Sequence, residues 1–531
     1  MPRTFAPPSG SVPSGSAPSG PAPSGPASSA PAPSGSAPSG PAASGPAASG
    51  PLAPAPMPGD DAFLYRQVER HLLGLMNTGR LGPGDKAPSL RALSRRLGVG
   101  LATVNHAYVE LEAQGVLEAR PRSGFYVRSA PVRPPAPLPR PAAPAPPRPV
   151  NRAGLINSSL ESLGNRELVS FGVVSPDECL LPLKALTRAM AQALRAHPEQ
   201  ALGYETVPGN LQLRRQIAYR MSELDMPTAP EDLIVTTGAL EALFIALRCL
   251  TRPGDTVLIA APGYYCFLQL LETLGLRAVE IGSDPEHGLN PADVADAVDR
   301  YRVAAAILNP SYNNPDAALT PDHAKAEIVR ILAERGIPLV EDDVSGDLHY
   351  GPQRPATCRS FDQSGLVLHC SSFSKTLAPG FRVGWLAPGR FRDKALEIKA
   401  TTNVSSSSPA QMAVAEYLAA GGFERHLRRL RQAVESQMRA LRQHTATRFP
   451  KGTRMTDPKG GLMLWVELPG RASGVDLFLR ARQAGISIIP GNIFSTQERF
   501  DHFIRLSSSS PWTPELLNGL TRLGELAAEL V

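Results

Sequence analysis

Residues 371–385 read Ser371-Ser372-Phe373-Ser374-Lys375-Thr376-Leu377-Ala378-Pro379-Gly380-Phe381-Arg382-Val383-Gly384-Trp385. One lysine stands among hydroxyl groups, and an arginine follows seven residues later. The amine of Lys375 can condense with an aldehyde to form a Schiff base. Ser372, Ser374 and Arg382 can hold a phosphate, because a guanidinium group matches phosphate oxygens in a bidentate way. The stretch predicts a site where an aldehyde cofactor with a phosphate group is attached to Lys375.

The same stretch resembles the lysine signature of fold-type I pyridoxal-phosphate enzymes, the aminotransferase class I/II group. This resemblance implies pyridoxal 5'-phosphate as the cofactor and an α/β/α domain with a small C-terminal α+β subdomain. The rest of the sequence agrees with that fold. Apolar runs such as 256–260, 304–308 and 337–341 alternate with helical segments, which predicts a mostly parallel sheet covered on both faces.

Composition divides the 531 residues into four parts. Residues 1–58 repeat variants of Ala-Pro-Ser-Gly, which predicts a disordered tail with little to bury. Residues 59–128 are patterned like a small folded domain. Residues 129–152 are rich in proline and predict an extended, semi-rigid linker. Residues 153–531 form the predicted cofactor domain.

The net charge, the cysteine spacing and the hydropathy of the sequence limit the kinds of function that the protein can have. The net charge of +6 permits a nucleic-acid partner. The five cysteines are scattered without a Cys-x-x-Cys pair, which argues against a disulfide framework or a zinc site, predicts no bound metal, and favours the reducing cytoplasm. We find no apolar run of 18 residues and no secretory signal, so we expect no membrane span.

The small N-terminal domain has the pattern of a winged helix-turn-helix. Leu64, Val68 and Leu72 recur at helical spacing, and Ser89 is a plausible N-cap for a second helix. A third helix follows Gly98-Val99-Gly100, and a predicted hairpin turns at Pro121-Arg122-Ser123-Gly124. Three helices and a hairpin are typical of this DNA-binding fold.

Residues of this domain resemble the GntR-type winged helix, through Pro88-Ser89-Leu90-Arg91, Thr103-Val104, Ala107-Tyr108 and Ser123-Gly124. The resemblance implies a double-stranded DNA operator as partner. The predicted DNA-binding residues are Ser89, Arg91, Thr103, Asn105, His106 and Gly124. The family usually has Ser-Arg where this chain has Gly100-Leu101, which removes a hydroxyl and a cation. The alternatives are a solvated helix face for each residue and a protein-binding winged helix for the domain.

Two groups are predicted to hold opposite ends of the cofactor. A buried carboxylate after the strand at 337–341 would face the pyridine nitrogen and keep it protonated. Spacing does not choose between Asp342 and Asp343, and the family resemblance favours Asp342. The backbone N–H groups of Ala239 and Leu240, at a strand–helix junction, would bind the phosphate.

Four further residues follow from the resemblance. Asn314, in an Asn-Pro signature, would hydrogen-bond the cofactor's 3-hydroxyl, and Tyr264 would stack on its ring. Tyr204 would reach the phosphate of the partner subunit. Arg505 would clamp a substrate α-carboxylate, for which a guanidinium is the natural partner. A core or rim tyrosine is the alternative for Tyr264, and a structural ion pair is the alternative for Arg505.

Together the two halves resemble the MocR subfamily of bacterial transcription regulators. This implies a homodimer in which an amine or amino-acid effector reacts at the Lys375 Schiff base and changes how the winged helices bind DNA. Two other functions stay open: a working aminotransferase with an accessory DNA-binding domain, and an empty dimerisation scaffold. This chain departs from the usual aminotransferase sequence at two positions, with Ala317 in place of a glycine and Ser345 in place of a tyrosine. Both departures argue against efficient transamination.

The family's tyrosine donates to the 3-hydroxyl and lowers the pKa of the cofactor imine, and serine is too short for that contact. We therefore expect Ser345→Tyr to lower the imine pKa. A spectrophotometric pH titration of the variant and the wild type measures it, and identical titration curves would rule the idea out.

Overall fold

A computed structural model of the chain describes residues 64–77, 81, 85–120, 123–127, 146–149, 167–470 and 472–531. All of them belong to one compact unit, Asp61–Val531. The predicted tail, 1–58, lies outside the described residues, and the predicted linker, 129–152, is described only at 146–149. No helix in the described ranges has the length and apolar character that crossing a bilayer requires.

The N-terminal region has the predicted three helices followed by a hairpin. The helices are α1 (Leu64–Asn77), α2 (Leu90–Leu97) and α3 (Leu101–Ala113). The strands β1 (Leu117–Arg120) and β2 (Gly124–Val127) pair in an antiparallel hairpin. This arrangement confirms the fold that hydrophobic spacing predicted.

Local chemistry explains where these helices begin and end. The Ser89 hydroxyl accepts a hydrogen bond from the Ala92 N–H at 3.2 Å, which caps α2. Gly98 ends α2 at φ +66°, a conformation that glycine adopts without steric cost. Tyr108 is fully buried and donates its hydroxyl proton to the Pro88 carbonyl at 2.6 Å. That bond ties α3 to the entrance of α2.

The larger part of the chain is built on a nine-stranded sheet. Its strands are β3 (Arg148–Pro149), β5 (Ile234–Thr236), β6 (Thr256–Ala261), β7 (Arg277–Asp284), β8 (Gly288–Leu289), β9 (Val303–Leu308), β10 (Leu339–Asp342), β11 (Val367–Ser372) and β12 (Gly384–Ala387), while β4 (Val169–Ser170) lies outside it. The order is β3-β7-β6-β9-β10-β11-β12-β5, with β8 beside β7. The centre, from β7 to β11, is parallel. Within the predicted linker, Arg148–Pro149 joins the sheet edge.

Helices cover both faces of this sheet. They are α4 (Leu183–Ala196), α5 (Pro198–Leu202), α6 (Leu211–Ser222), α7 (Ala239–Leu250), α8 (Tyr265–Thr273), α9 (Pro291–Arg300), α10 (Asp322–Glu334), α11 (Arg392–Asn403), α12 (Ser408–Ala419) and α13 (Phe423–Arg448). Neighbouring strand residues enter different cores: Ile259 packs in one cluster and Leu258 in another. Burial on both sides explains the continuous apolar runs in the sequence.

The C-terminal region forms a smaller α+β layer. Strands β13 (Arg454–Met455), β14 (Met463–Glu467), β16 (Ile489–Pro490) and β17 (Phe503–Ser507) make an antiparallel sheet in the order β13-β14-β17-β16, while β15 (Ile486–Ser487) pairs with β4. Helices α14 (Gly474–Gln483) and α15 (Pro514–Ala528) pack on it around a separate apolar core. This layer brings β17 next to the large sheet.

Parallel strands end at a common edge, and polar residues gather there. Asn309 follows β9, Asp342 ends β10 and Ser372 ends β11. The turn at Gly238 follows β5, and Arg382 precedes the antiparallel strand β12. The carboxyl edge of such a sheet is the usual place for a ligand in open α/β folds.

Candidate functional site

A cavity of about 410 Å³ lies at this edge of the sheet. Ten of the eleven residues predicted for cofactor or substrate line it: Ala239, Leu240, Tyr264, Asn314, Asp342, Ser372, Ser374, Lys375, Arg382 and Arg505. The eleventh, Tyr204, is 93% exposed and is not part of the cavity wall. Its predicted role toward a partner subunit stays a prediction.

Lys375 lies just beyond β11 with its amine turned into the cavity. Its Nζ donates to the carbonyl oxygen of Val174. Burial, reinforced by the nearby Arg505 guanidinium, lowers the pKa of Lys375 to about 8. A larger share of this amine is therefore neutral near pH 7 than for an ordinary lysine, and the neutral amine is the form that attacks a carbonyl.

One end of the cavity is suited to an anion. The N-terminus of α7 opens there after Gly238, which has φ +80°. A Cβ atom at Gly238 would lie 2.3 Å from Nη2 of Arg382, so a larger residue would displace that guanidinium, and the positive φ also favours glycine. Arg382 also donates to the Ser374 hydroxyl at 3.4 Å. A helix N-terminus, hydroxyls and a guanidinium together are suited to binding a phosphate.

The structure distinguishes the two aspartates that sequence spacing left open. Asp342 lines the cavity and is 2% exposed, and burial raises its pKa to about 7. Asp343 points to the other side of the strand. There it pairs with Arg354 and accepts from Nε2 of His369 at 3.1 Å. Attraction to the Arg354 and His369 side chains outweighs burial and holds the pKa of Asp343 below its usual value.

Asn309 was missed by the sequence analysis, which assigned a role only to Asn314 in the same segment. Its Nδ2 donates to the Asp342 carbonyl at 2.6 Å, and its Oδ1 accepts from the Asn314 N–H at 3.1 Å. Asn309 is buried. It therefore fixes the two predicted cofactor residues relative to one another.

Arg505 lies on β17 of the C-terminal layer, and its guanidinium lines the cavity. Its Nη1 donates to Oδ1 of Asn314 at 3.0 Å and its Nη2 donates to the Gly172 carbonyl. The side chain is buried, and its Nε has no hydrogen-bond partner among the described residues. A buried guanidinium with an unused donor is suited to an incoming carboxylate.

Several cavity residues carried no sequence signal. Gly172, Val173, Val174 and Ser175 form one wall, and their contribution is largely backbone. Apolar or amide side chains such as Gln269, Met463 and Ile489 line another part. Chain order could not place these residues, because they come from segments far apart in sequence.

The two predicted departures lie at or near the site. Ser345 is buried and lines the cavity. Ala317 is buried and adopts φ +57°, a left-handed conformation that favours glycine. Its N–H donates to the Asn313 carbonyl at 2.7 Å, which holds the turn despite the side chain.

The predicted DNA-binding residues lie on the helices and the wing of the N-terminal region. Arg91 and Asn105 are exposed, and Thr103 is half-buried. Ser89 is exposed, but its hydroxyl is already engaged as the cap of α2.

The remaining two predicted DNA-binding residues, Gly124 and His106, are also exposed but differ in their surroundings. Gly124 is exposed at the start of β2, with φ +102°. His106 is exposed, but its ring lies edge-on to that of Tyr65 in α1, with 4.6 Å between centroids.

The cavity residues fit pyridoxal phosphate. An amine, a helix N-terminus with a nearby guanidinium, and a buried carboxyl line one cavity, together with an aromatic ring at Tyr264 and an amide at Asn314. The orphaned Nε of Arg505 adds a place for a carboxylate. Asp342 would face the ring nitrogen, Lys375 would hold the aldehyde carbon, and the turn at Gly238 would hold the phosphate.

The raised pKa of Asp342 predicts a pH-dependent stability in the cofactor-free protein. Its folded pKa of about 7 exceeds the unfolded value, so the native state binds the proton more tightly and loses stability as pH rises. Asp342→Asn removes that loss. Relative to the wild type, the variant should gain up to about 3 kcal/mol between pH 5 and pH 8.

Urea unfolding at both pH values measures this difference. Asp343→Asn is the matched control, because the pKa of Asp343 is lowered and its charge stabilises the fold above the unfolded pKa. It should destabilise the protein at both values. A pH-independent difference for Asp342→Asn would contradict the burial of its carboxyl.

Comparison with known families and proteins gives two matches on one chain. The family described as aminotransferase class I and II matches residues 171–522. The family described as bacterial regulatory proteins, gntR family, matches residues 64–127. The first match covers the cavity and the second covers the three helices and the hairpin.

The chain also aligns over most of its length with transcription regulators. The chain is 34% identical to the uncharacterized HTH-type transcriptional regulator YdcR of Escherichia coli, over 88% of this chain and 99% of that protein. It is 28% identical to the HTH-type transcriptional regulator TauR of Rhodobacter capsulatus, over 88% and 97%.

Among solved structures, LysN, an alpha-aminoadipate aminotransferase from Thermus thermophilus complexed with a phosphopyridoxyl-leucine, matches with a TM-score of 0.66. Its identity is 29%, over 71% of this chain and 95% of that one. Pyridoxal phosphate is the cofactor of that family. The chain belongs to the aminotransferase class I and II family and, with its gntR-type DNA-binding region, to the MocR type of transcription regulators.

Proposed function

We propose that this regulator carries pyridoxal phosphate on Lys375 and uses it to sense an amine or amino-acid effector, with the result read out at DNA. The observation that carries the proposal is the cavity itself, where Lys375, Asp342 and Arg505 meet on a chain that also has a winged helix. When bound, the cofactor supplies an aldehyde that amines capture reversibly. We expect the protein to work in the cytoplasm, where bacterial DNA lies.

The effector's two functional groups have partners on this chain. An amine would compete with the Lys375 amine for the cofactor. A carboxylate would take the unused Nε of Arg505 and displace weaker acceptors of that guanidinium. Arg505 is held by Asn314, so the carboxylate would bind at a fixed distance from the ring. We infer that the effector is a small molecule with an amine and one acidic group.

A backbone segment connects this chemistry with the DNA-binding region. Lys375 donates to the Val174 carbonyl and Arg505 donates to the Gly172 carbonyl. The hydroxyls of Ser507 and Ser509 both donate to the Val173 carbonyl, at 2.8 and 2.6 Å. The carbonyl groups of Gly172 and Val174 therefore contact the two side chains that an effector would engage, on either side of a residue that the serines hold.

A few residues further along the chain, the backbone approaches the winged helix. Leu180 lines a second cavity, of about 530 Å³, whose walls also include Glu112 of α3 and Gln437 of α13. Beside it, Glu110 of α3 pairs with Arg439 of α13.

An effector amine would free Lys375 from the cofactor, so that its Nζ could donate to the Val174 carbonyl as it does in this structure, and the effector's carboxylate would draw Arg505 from the Gly172 carbonyl. We propose that this change of contacts at residues 172–174 shifts Leu180 and alters how α3 rests on α13. Coupling of this kind needs only that the effector favours one arrangement over the other.

A homodimer is part of the proposal. Leu202, Tyr204 and Tyr219 are 84%, 93% and 65% exposed. A second copy would cover them, and Tyr204 would then reach the phosphate site of the partner subunit. Two winged helices would read two halves of an operator.

A working aminotransferase is the second candidate. The observation in its favour is that Lys375, Asp342, Asn314 and Arg505 all line one cavity, as transamination requires. Ser345 leans against fast turnover, because it is too short to replace a tyrosine phenol at the 3-hydroxyl. Steady-state transamination with a panel of amino acids and 2-oxoglutarate separates the two candidates: turnover on the enzyme scale favours the aminotransferase.

The DNA side is tested by gel shift on the DNA upstream of the protein's own reading frame, with and without pyridoxal phosphate. Arg91→Ala should weaken binding about tenfold, because an exposed guanidinium that contacts a base or phosphate is lost. Arg252→Ala, which removes an exposed arginine outside the winged helix, is the control and should bind as the wild type does. Equal affinities for both variants would remove Arg91 from the interface.

The sensing side is tested at Lys375. Borohydride reduction of the protein loaded with pyridoxal phosphate should attach a pyridoxyl group to Lys375, detected by peptide mass spectrometry. Lys375→Ala should lack the adduct, keep DNA binding, and lose any response of DNA binding to amines. An unmodified Lys375 in the wild type after incubation with excess cofactor would refute the sensing proposal.

A further inference from the structure

A buried ion pair lies behind the phosphate end of the cavity. Lys399, on α11, has a fully buried side chain, and Glu241, in the first turn of α7, is 10% exposed. Nζ of Lys399 donates to Oε1 of Glu241 and to Oγ of Ser406, both at 2.9 Å. Neither Lys399 nor Glu241 lines the cavity. A buried ammonium group needs such partners, because loss of one of them would leave an uncompensated charge.

Glu241 of this pair also contacts the turn before α7. The second carboxylate oxygen of Glu241 accepts from the Thr237 N–H. The Thr237 side chain is also held, by Ser406 at 3.2 Å and by Asn403 at 3.3 Å. Its carbonyl accepts from Nη2 of Arg382 at 3.3 Å. Thr237 therefore joins the buried pair to a predicted phosphate ligand.

The charge of Glu241 conflicts with the function of this helix end. A carboxylate at the third helical position stabilises the N-terminus of α7. The same carboxylate repels a phosphate bound there, since both are anions. The Lys399 ammonium lies against that carboxylate and cancels its charge. The helix keeps the hydrogen bond of Glu241 at Thr237 without presenting a net negative charge to the phosphate.

We propose that Lys399 and Glu241 are positioning residues for the cofactor's phosphate: Glu241 fixes the turn at Thr237-Gly238, and Lys399 neutralises Glu241 so that the turn can accept an anion. The inference rests on the proposed binding of pyridoxal phosphate at Lys375. It assigns the two residues to phosphate affinity and not to the chemistry at the aldehyde.

The test is a double-mutant cycle read out as the Kd of pyridoxal phosphate, measured by equilibrium absorbance. Lys399→Met leaves the Glu241 carboxylate uncompensated and should weaken binding about tenfold or more. Adding Glu241→Gln removes that charge, and the double variant should return to within about threefold of the wild type. Glu241→Gln alone keeps an acceptor for Thr237 and should bind within about threefold of the wild type.

Lys394→Met is the matched control. Lys394 lies on the same helix, α11, and its Nζ donates to the Cys249 carbonyl at 2.9 Å, at the opposite end of α7 from the phosphate site. The Lys394→Met substitution removes one positive charge and one contact to α7. The Kd of this variant for pyridoxal phosphate should equal that of the wild type. Unfolding of the cofactor-free variants shows whether each one folds.

The outcomes are distinct. Equal Kd values for Lys399→Met and Lys394→Met overturn the proposal. A double variant as weak as Lys399→Met also overturns it, since the loss would then come from packing. If Lys399→Met does not fold, the double variant decides alone, and a tenfold loss in it contradicts the charge argument. A wild type that binds no cofactor would instead reject the proposed function on which this inference rests.

Discussion

The carboxyl edge of the parallel sheet is the constraint on which the rest of the structure depends. Strands that run in one direction end side by side, so residues separated by more than a hundred positions in the chain meet at one edge. Asp342 and Ser372 end neighbouring strands, and the turn at Gly238 joins them from β5. Loss of parallel pairing would separate the carboxyl, the lysine and the phosphate site together.

Electrostatics at this edge follow from burial. Water is excluded, so the neutral forms of Asp342 and Lys375 gain relative to the charged ones, and their pKa values approach each other at about 7 and about 8. A bound ring with a basic nitrogen would give the Asp342 carboxylate a cation to face, and an aldehyde would consume the Lys375 amine. The same groups that are costly to bury would find partners in the bound cofactor.

Much of this could be predicted from the sequence. Lys375, Asn314 and Arg382 lie in short, dense motifs, and β-branched and aliphatic runs mark the strands that carry them. The choice of Asp342 over Asp343 needed the structure. Adjacent residues at the end of a strand point to opposite faces of the sheet, and the sequence does not say which face lines the cavity. Hydrophobic spacing also placed the three helices and the hairpin of the winged helix.

Other parts depend on contacts that no spacing reports. Glu241 and Lys399 are 158 residues apart, and either alone reads as an ordinary helix-surface charge. Residues 172–174 act through carbonyl groups, which every residue has, so their side chains give no signal. Asn309 escaped notice because it is adjacent to a better-known signature and works through the backbone of Asp342 and Asn314.

The segment at 172–174 has one more consequence. The Val174 carbonyl at one end accepts from Lys375, and the Gly172 carbonyl at the other end accepts from Arg505. Under the proposed function, an effector amine would free Lys375 to donate to the Val174 carbonyl, and an effector acid would draw Arg505 from the Gly172 carbonyl. Ser507 and Ser509 would keep their hold on the Val173 carbonyl throughout. Only a compound that carries both groups at the right separation would change both outer contacts at once, so this stretch of backbone would act as a coincidence detector that ignores simple amines and simple acids in a crowded metabolite pool.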